Sequence, residues 1–587
     1  MAKFSVCCLI PLLLAGLFAC QQDVRKEKLI LIATTDVHGA IFPVDCLSGD
    51  SLAYGLARVH SLIEEQRQIM GEDRLIYLDN GDLLQGDPAA YFANYIDNPD
   101  KHLFARIMHF MGADAASVGN HDIECGHPVY DSLRKAFSFP WLAANAINKN
   151  TGEAYFEPYT ILHKGSLRIA LLGLTTPAVP RWLPQYLWEG IHFEDMVKSA
   201  EKWVEHIREK EKPDMLIGLF HSGADTSGLS DYEEGSENAA AAVAHRVPGF
   251  DLIIAGHDHR KWNMYLRDIE GDSVLILAPG SRARDVALVE IEATKKNSGW
   301  DIRLKGDILS TSRLPAHRGF METFRSDQEK IHRYVNDTIA WLQDSLFARD
   351  ALYGPAPFTE LVHQVQLAYT GADISLTAPL SVSAILPAGP IKTGDLFHLY
   401  PYENLLYLMR LSGGEIKDML EYAAEGWFRT MQNAGDGLLD YQRNEAGAII
   451  FRNGQPQTRG ISYNFSTASG LHYTLDLRAP AGNRIQISKL ASGFPFHPDS
   501  IYQVALNSYR GSGGGGHLTR GAGIPDSLLA DRIIHRSGED IRALLIGWLQ
   551  KQSPVKITMP YNWKCIPETW HQNGMEADIR FRRQNPN

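Results

Sequence analysis

The stretch GNHDIECGH, residues 119–127, puts two histidines, an asparagine, an aspartate, a glutamate and a cysteine into one short turn. Two motifs precede it: TTDVHG, with Asp36 and His38, and DNGDLLQG, with Asp82. Two follow it: LFHSGAD, with His221, and AGHDH, with His257 and His259. These motifs stand directly after short apolar runs such as LILIATT, LIYLDN, DMLIGLF and DLIIAG, and RIALLGLT and SVLILAP extend the series. Continuous apolar runs of that length suit strands buried on both faces. Between them GLARVHSLIEEQRQIM and EDMVKSAEKWVEHIREK carry helical periodicity. Residues 29–292 therefore read as an α/β domain, the class in which ligands bind at the carboxyl ends of strands.

The residue types narrow the ligand. D-x-H and H-x-H on extended backbone place both side chains on one side, because the strand period is two. Carboxylate, imidazole and amide donors together suit Zn, Mn or Fe, and suit Ca less well. Seven such groups exceed the needs of one tetrahedral metal, so a shared carboxylate would let them hold two. A metal pair is the usual clamp for displacement at phosphorus. Any one of these motifs alone is weak, since D-x-H occurs by chance in turns and Asn-His can cap a helix. Five in series at strand ends point to a divalent metal pair.

Length and composition set the outer bounds. A chain of 587 residues needs at least two domains. With 57 basic and 69 acidic residues its formal net charge is −12, which argues against a coat for a nucleic-acid polymer. MAKFSVCCLIPLLLAGLFAC reads as a signal peptide over 1–19, too short to span a bilayer comfortably. LFAC resembles a bacterial lipobox, so cleavage before Cys20 and lipidation of its thiol are expected, with 20–27 as a tether. A plain secretory signal or a short anchor is the alternative. The expected location is exported, on a membrane facing the periplasm or on the cell surface. The metal-bearing domain should occupy 28–320. Residues 321–350 read as one polar connecting helix, 351–560 as a smaller domain of mixed helices and strands, and 561–587 as a polar, loosely held tail.

The order D-x-H, G-D, G-N-H, H, G-H-x-H resembles the calcineurin-like metallophosphoesterases. DNGDLLQG, GNHD, GLTTP, GHDH and NSYRGSGGGG together resemble the exported 5′-nucleotidase family, especially its 2′,3′-cyclic-nucleotide phosphodiesterase/3′-nucleotidase branch, over residues 29–546. The resemblance implies a four-layer αββα sandwich followed by a smaller α+β substrate domain of 5′-nucleotidase type. It makes Asp36, His38, Asp82 and His259 ligands of one metal. Asp82 bridges, and Asn120, His221 and His257 complete the second. It makes His121 the catalytic histidine, stabilising charge on a phosphate oxygen while metal-bound hydroxide attacks. Glu124, three residues on, would share a helical face with His121 and orient it, although many relatives place Asp or Asn there. Asp122 reads as a group behind the ligands, or one facing solvent, and His127 as a loop residue.

In the second domain the resemblance implies two aromatics clamping a nucleotide base. Tyr509 is one, and either Tyr463 or Phe465 the other, since alternation along a strand would put both on one face. Asn507 and Arg510 are candidates for the same pocket. With the metals on one domain and the clamp on the other, domain closure is implied. Cys46 and Cys125 sit in loops that should converge on the metals. They are expected either to form a disulfide or to remain two buried thiols. The activity expected is hydrolysis of 2′,3′-cyclic nucleotides and 3′-nucleotides. The alternatives are 5′-nucleotide or nucleotide-sugar hydrolysis, and a nucleotide-binding lipoprotein without catalysis. Nothing in the sequence speaks to oligomeric state.

Overall fold

A computed structural model describes residues 25–97, 101–227, 229, 232–297, 299–452 and 454–584. The signal peptide, Cys20 and the first part of the tether lie outside these residues. The first domain is built on two six-stranded sheets. The first sheet runs in the order Gly299–Ser310, Asp285–Lys296, Lys26–Thr34, Leu75–Asp79, Ala115–Ser117, Trp141–Leu142. The second runs Lys261–Arg267, Ser273–Pro279, Leu252–Ala255, Met215–His221, Leu167–Thr175, Tyr159–Lys164.

Residue parity explains the layers. On strand Lys26–Thr34, Leu29, Leu31 and Ala33 share one apolar cluster with Ile169, Leu171, Ile217, Leu219 and Ile254 of the other sheet. Ile30 and Ile32 point the other way, into a cluster with helices Leu56–Met70 and Leu103–Met111. In the second sheet Leu172, Leu216 and Ile253 likewise face helices Met196–Lys210 and Ala240–Arg246. Each run is apolar on both faces because each strand is covered by helix on one side and sheet on the other. The result is the αββα sandwich.

Register brings the motif loops to one rim. Lys26–Thr34 pairs in parallel with Leu75–Asp79, Thr34 opposite Asp79, and Asp79 lies opposite Ala116. In the second sheet Ala255 lies opposite Phe220. Asp36, Asp82 and Asn120 therefore leave one sheet, and His221 and His257 the other, along the same edge.

The second domain carries a five-stranded sheet ordered Thr467–Ser469, Ile374–Thr377, Ile501–Asn507, Leu405–Ser412, Ile533–Asp540. Helices Pro357–Thr370, Gly413–Glu425 and Ile541–Gln552 pack around it. Three expectations are corrected here. Residues 321–350 are not one helix: the chain forms Arg318–Thr323 and Arg325–Asn336, then strand Thr338–Leu342 against Gly389–Lys392. Asp337 is extended (φ −65°, ψ 126°), and TIAWL, rich in β-formers, finds a strand partner that outcompetes helix. ISYNF is not a strand either, since Ser462–Asn464 forms a 3-10 turn. Nor is the tail loose. Strand Trp563–Ile566 pairs with Leu471–Asp476, and helix Glu568–Gln584 follows. Buried Asp578 of that helix accepts from the amides of Leu438 and Leu439, both at 2.8 Å. Among the described residues no helix is long and apolar enough to cross a membrane.

Candidate metal centre

The rim loops hold their backbones in an unusual state. Asp36, His38, Asp82, His257 and His259 all have positive φ, between 49° and 72°. Such left-handed backbone is uncommon for residues with a side chain and costs about 1–3 kcal/mol each. Neighbouring loops enforce it. Asp36 N donates to Gly81 O (2.9 Å), His38 N to Asp82 O (2.9 Å) and Gly39 N to Leu83 O (3.0 Å), continuing the strand ladder past the strands. Two glycines leave room for this packing: a Cβ on Gly119 would stand 2.1 Å from Asp82 Oδ1, and one on Gly256 2.2 Å from Thr35 Oγ1.

The side chains then converge. The ligand atoms of Asp36, His38 and His259 lie within 4.8 Å of one another, as do those of Asp82, His221 and His257. His38 Nε2 faces His259 Nε2 at 3.0 Å, and His259 Nε2 stands 3.3 Å from Asp36 Oδ1. His221 Nε2 lies 3.0 Å from Asp82 Oδ2, and His257 Nδ1 2.8 Å from Asn120 Oδ1. The opposite ring nitrogens are held from behind. His38 Nδ1 donates to Gln85 O (2.9 Å), His221 Nδ1 to Asn80 O (2.7 Å) and His257 Nε2 to Glu237 Oε1 (2.9 Å). Each contact fixes the tautomer and turns a lone pair toward the carboxylates, as outer partners of metal-bound histidines do.

Two observations fit a cation at this place. His221 Nε2 is buried and faces the carboxylates of Asp82 at 3.0 Å and Asp36 at 4.0 Å. Burial works against a charge on His221, yet Asp82 and Asp36 outweigh it and hold its pKa up to about 10. Carboxylates that retain a proton so strongly would equally retain a divalent ion in its stead. His38, in contrast, is pushed down to about 4, chiefly by burial, and presents a neutral ring.

His121 is the second residue of the short helix Asn120–Glu124, where i and i+3 share a face. Its Nδ1 meets Glu124 Oε2 at 2.5 Å, and its amide donates to Asp82 Oδ1 at 2.8 Å. Burial opposes its charge, but Asp82 and Glu124 raise its pKa to about 9. Asp122 is fully buried and accepts from the amides of Asp82, Leu83, Leu84 and Gly119 at 2.8–3.1 Å. It is thus the knot that ties the Asp82 loop to the Asn120 loop, and it does not face solvent. His127 is no loop residue: it begins helix His127–Ala136 and contacts Asp131. The disulfide is absent. Cys46 and Cys125 are both free thiols, Cys46 on Asp87 Oδ1 (3.3 Å) and Cys125 against the Leu84 and His121 carbonyls. Asp87 satisfies the Cys46 thiol, and the Leu84 and His121 carbonyls that of Cys125, so each has a polar partner other than the second sulfur.

Glu237, Gln85 and Trp182 escaped sequence reasoning. Glu237 lies in SENAA, with no spacing to mark it, and Gln85 acts through its carbonyl. The Trp182 ring lies 5.4 Å from that of His257 and lines a cleft of about 990 Å³. Both domains form that cleft, with Arg181 and Trp182 from the first and Tyr407, Tyr509, Arg520 and Arg536 from the second. Across the domain boundary Tyr91 OH donates to Asp540 Oδ2 at 2.6 Å.

The base-clamp candidates separate. Phe465 is 3% exposed, stacked on Trp427 (5.3 Å, 10°) and edge-on to Phe428, so it serves the core. Tyr463 is half-buried, with Tyr402 across from it at 6.5 Å. Tyr509 lines the cleft. Arg510 does not reach toward a ligand. Its buried guanidinium binds Gly514 O, Tyr463 O, Asn464 Oδ1 and His517 Nδ1, pinning the Tyr463 turn to the glycine loop. Asn507 caps helix Ser508–Gly511 and donates to Tyr400 OH.

Residues 30–261 match the family described as calcineurin-like phosphoesterase, and residues 338–520 the one described as 5′-nucleotidase, C-terminal domain. Fold and matches together define a metallophosphoesterase domain joined to a 5′-nucleotidase C-terminal domain. The chain belongs to the 5′-nucleotidase family of calcineurin-like metallophosphoesterases. The trifunctional nucleotide phosphoesterase protein of Bacillus subtilis is 26% identical over 95% of this chain, which spans 40% of that protein's length. The 2′,3′-cyclic-nucleotide 2′-phosphodiesterase/3′-nucleotidase of Haemophilus influenzae is 25% identical over 97% of this chain and 91% of its own. A Staphylococcus aureus protein described as a candidate 5′-nucleotidase, crystallised with alpha-ketoglutarate, superposes with a TM-score of 0.71 at 22% identity. The match covers 92% of this chain and 100% of that one, and speaks for the fold.

Proposed function

We propose that this protein is an enzyme that hydrolyses nucleotide phosphoesters at a two-metal centre, with 2′,3′-cyclic nucleotides and 3′-nucleotides as its substrates. The observation that carries the reading is the paired set of inward-facing imidazoles and carboxylates, with His121 on Glu124 beside it. Asp36, His38, Asp82 and His259 would hold one divalent ion, Zn, Mn or similar. Asp82, Asn120, His221 and His257 would hold the other. Such ions supply Lewis-acid charge at the phosphoryl oxygens and lower the pKa of a water toward ~7. The chain does the rest. Glu124 holds His121 Nδ1, leaving Nε2 to donate to a phosphoryl or leaving oxygen as charge builds. Tyr509, which lines the cleft between the domains, and Tyr463 would stack the base. The 2′,3′-cyclic and 3′ preference is supported by the likeness to the Haemophilus influenzae enzyme. Export and a lipid on Cys20 are part of the proposal and rest on LFAC.

The test is to purify the chain from Gln21 onward with Mn and, separately, Zn. Phosphate release from 3′-AMP and 5′-AMP and ring opening of 2′,3′-cyclic AMP are then assayed. Turnover of the cyclic and 3′ substrates is expected. Turnover of 5′-AMP alone would overturn the substrate assignment and keep the centre. Silence on all three with two metals bound would overturn the nucleotidase reading.

A further inference from the structure

On the second domain, at the carboxyl end of helix Gly413–Glu425, lies a cavity of about 330 Å³. Four guanidinium groups line it, those of Arg429, Arg443, Arg459 and Arg484, with the carboxylates of Glu425 and Asp440. Arg484 forms a fixed part of its wall. It is 3% exposed and donates to the Ala424, Phe428 and Ala479 carbonyls and to Thr430 Oγ1. Both carboxylates of the wall lean on Arg459, at 4.0 and 3.6 Å. Arg443 spends one N–H on Gly447 O. The Arg429 side chain has no ion-pair or hydrogen-bond partner among the described residues. Four arginines thus share the cavity wall with two carboxylates, with the carboxylate of Glu421 beside Arg484 and those of Asp436 and Asp578 in the field of Arg429.

The planar fork of guanidinium matches the tetrahedral oxygens of phosphate, and several forks around one anion give strong charge-assisted bonds. The cavity is not isolated. It shares Glu425 and Arg459 with a pocket of about 240 Å³, which shares Gly515 and Arg520 with the interdomain cleft. We propose that this arginine cavity is a second binding site, apart from the metal centre, for a phosphate-class dianion. Free phosphate and a phosphate carried on an organic group present the same oxygens to it. The inference does not rest on the proposed nucleotidase activity.

Calorimetric titration of the metal-loaded protein tests it, with inorganic phosphate as one probe and ribose 5-phosphate as the other. The wild-type chain is compared with Arg429→Ala/Arg443→Ala. Wild type is expected to bind two phosphates, one at the metals and one here. The double variant should lose about tenfold or more in affinity at one site only, with turnover unchanged. Loss for inorganic phosphate alone assigns the site to the free anion. Loss for both probes assigns it to phosphate borne on a larger group. One phosphate per wild-type chain that the double variant binds equally well, or two unweakened in the variant, overturns the proposal. Should the double variant not fold, the exposed Arg443→Gln is titrated in the same way, with a smaller loss expected and an unchanged affinity overturning it.

Discussion

Inward-facing histidines occur in both domains, and their partners differ. In the first domain His38, His221 and His257 are gripped from behind by a carbonyl or carboxylate, and their free nitrogens face Asp36, Asp82 and Asn120. In the second, His363 lies between the hydroxyls of Ser375 and Thr467, and His517 between Arg510 and the Asn464 carbonyl. Burial pushes both of these down to about 3, so they stay neutral. A histidine with one nitrogen tied off and the other aimed at carboxylates is arranged for a cation. A histidine whose two nitrogens are both satisfied by neutral or cationic groups is a packing element. Backbone follows the same division. The first domain holds five candidate ligands in left-handed conformation. Among the described residues of the second, from 338 to 584, only Tyr561 besides glycines has positive φ.

The sharpest break of this contrast is Asp82→Asn. It removes charge at the heart of the first set without changing size, so turnover should fall about 10³-fold or more while the melting temperature stays close to wild type. Near-normal phosphate release would sink the two-metal reading. The complementary change is Phe465→Ala, expected to destabilise by about 3–5 kcal/mol in denaturant unfolding because it opens the Trp427–Phe428 core. A stable variant with raised KM would return Phe465 to the base clamp. Glu237→Ala should cost about 10–100-fold in metal affinity, read by competition with a chelator, since His257 loses its rear partner. Unaltered affinity would mean that Asn120 and the backbone suffice to aim the ring. Tyr463→Ala should raise KM for nucleotides about tenfold at unchanged stability, in keeping with one lost stacking contact of about 1–3 kcal/mol.

The smallest effect concerns pH. His363 has a folded pKa near 3 against an ordinary value of 6.5, so the unfolded chain takes up a proton first as pH falls. Its contribution is fully present above pH 6.5 and is lost on acidification toward pH 3. Between pH 6.5 and 5.5 that amounts to about 1 kcal/mol. In His363→Gln this part of the pH slope should vanish from thermal unfolding curves, and an unchanged slope would show that other groups carry it.

The two-faced apolar strands, the order of the five motifs and the donor types at each strand end are all written in the chain's local pattern. All of these are local, since they depend on residues that follow one another in the chain. The spacing of His121 and Glu124 on one helical turn was legible for the same reason. Whatever depends on residues far apart in the chain was settled by packing. Glu237 reaches His257 because the loop between the second sheet's strands folds back over it. Tyr463 and Phe465 were indistinguishable until the 3-10 turn sent one into the core and left the other half-exposed. Strand Thr338–Leu342 replaced helix because its partner, Gly389–Lys392, lies about fifty residues on. The polar tail became a docked helix because Asp578 found two buried amides from residues 140 and 139 positions earlier. Periodicity records what a residue does with its neighbours in the chain. Burial and partner choice are set by packing, which brings together segments whose local sequences carry no mark of one another.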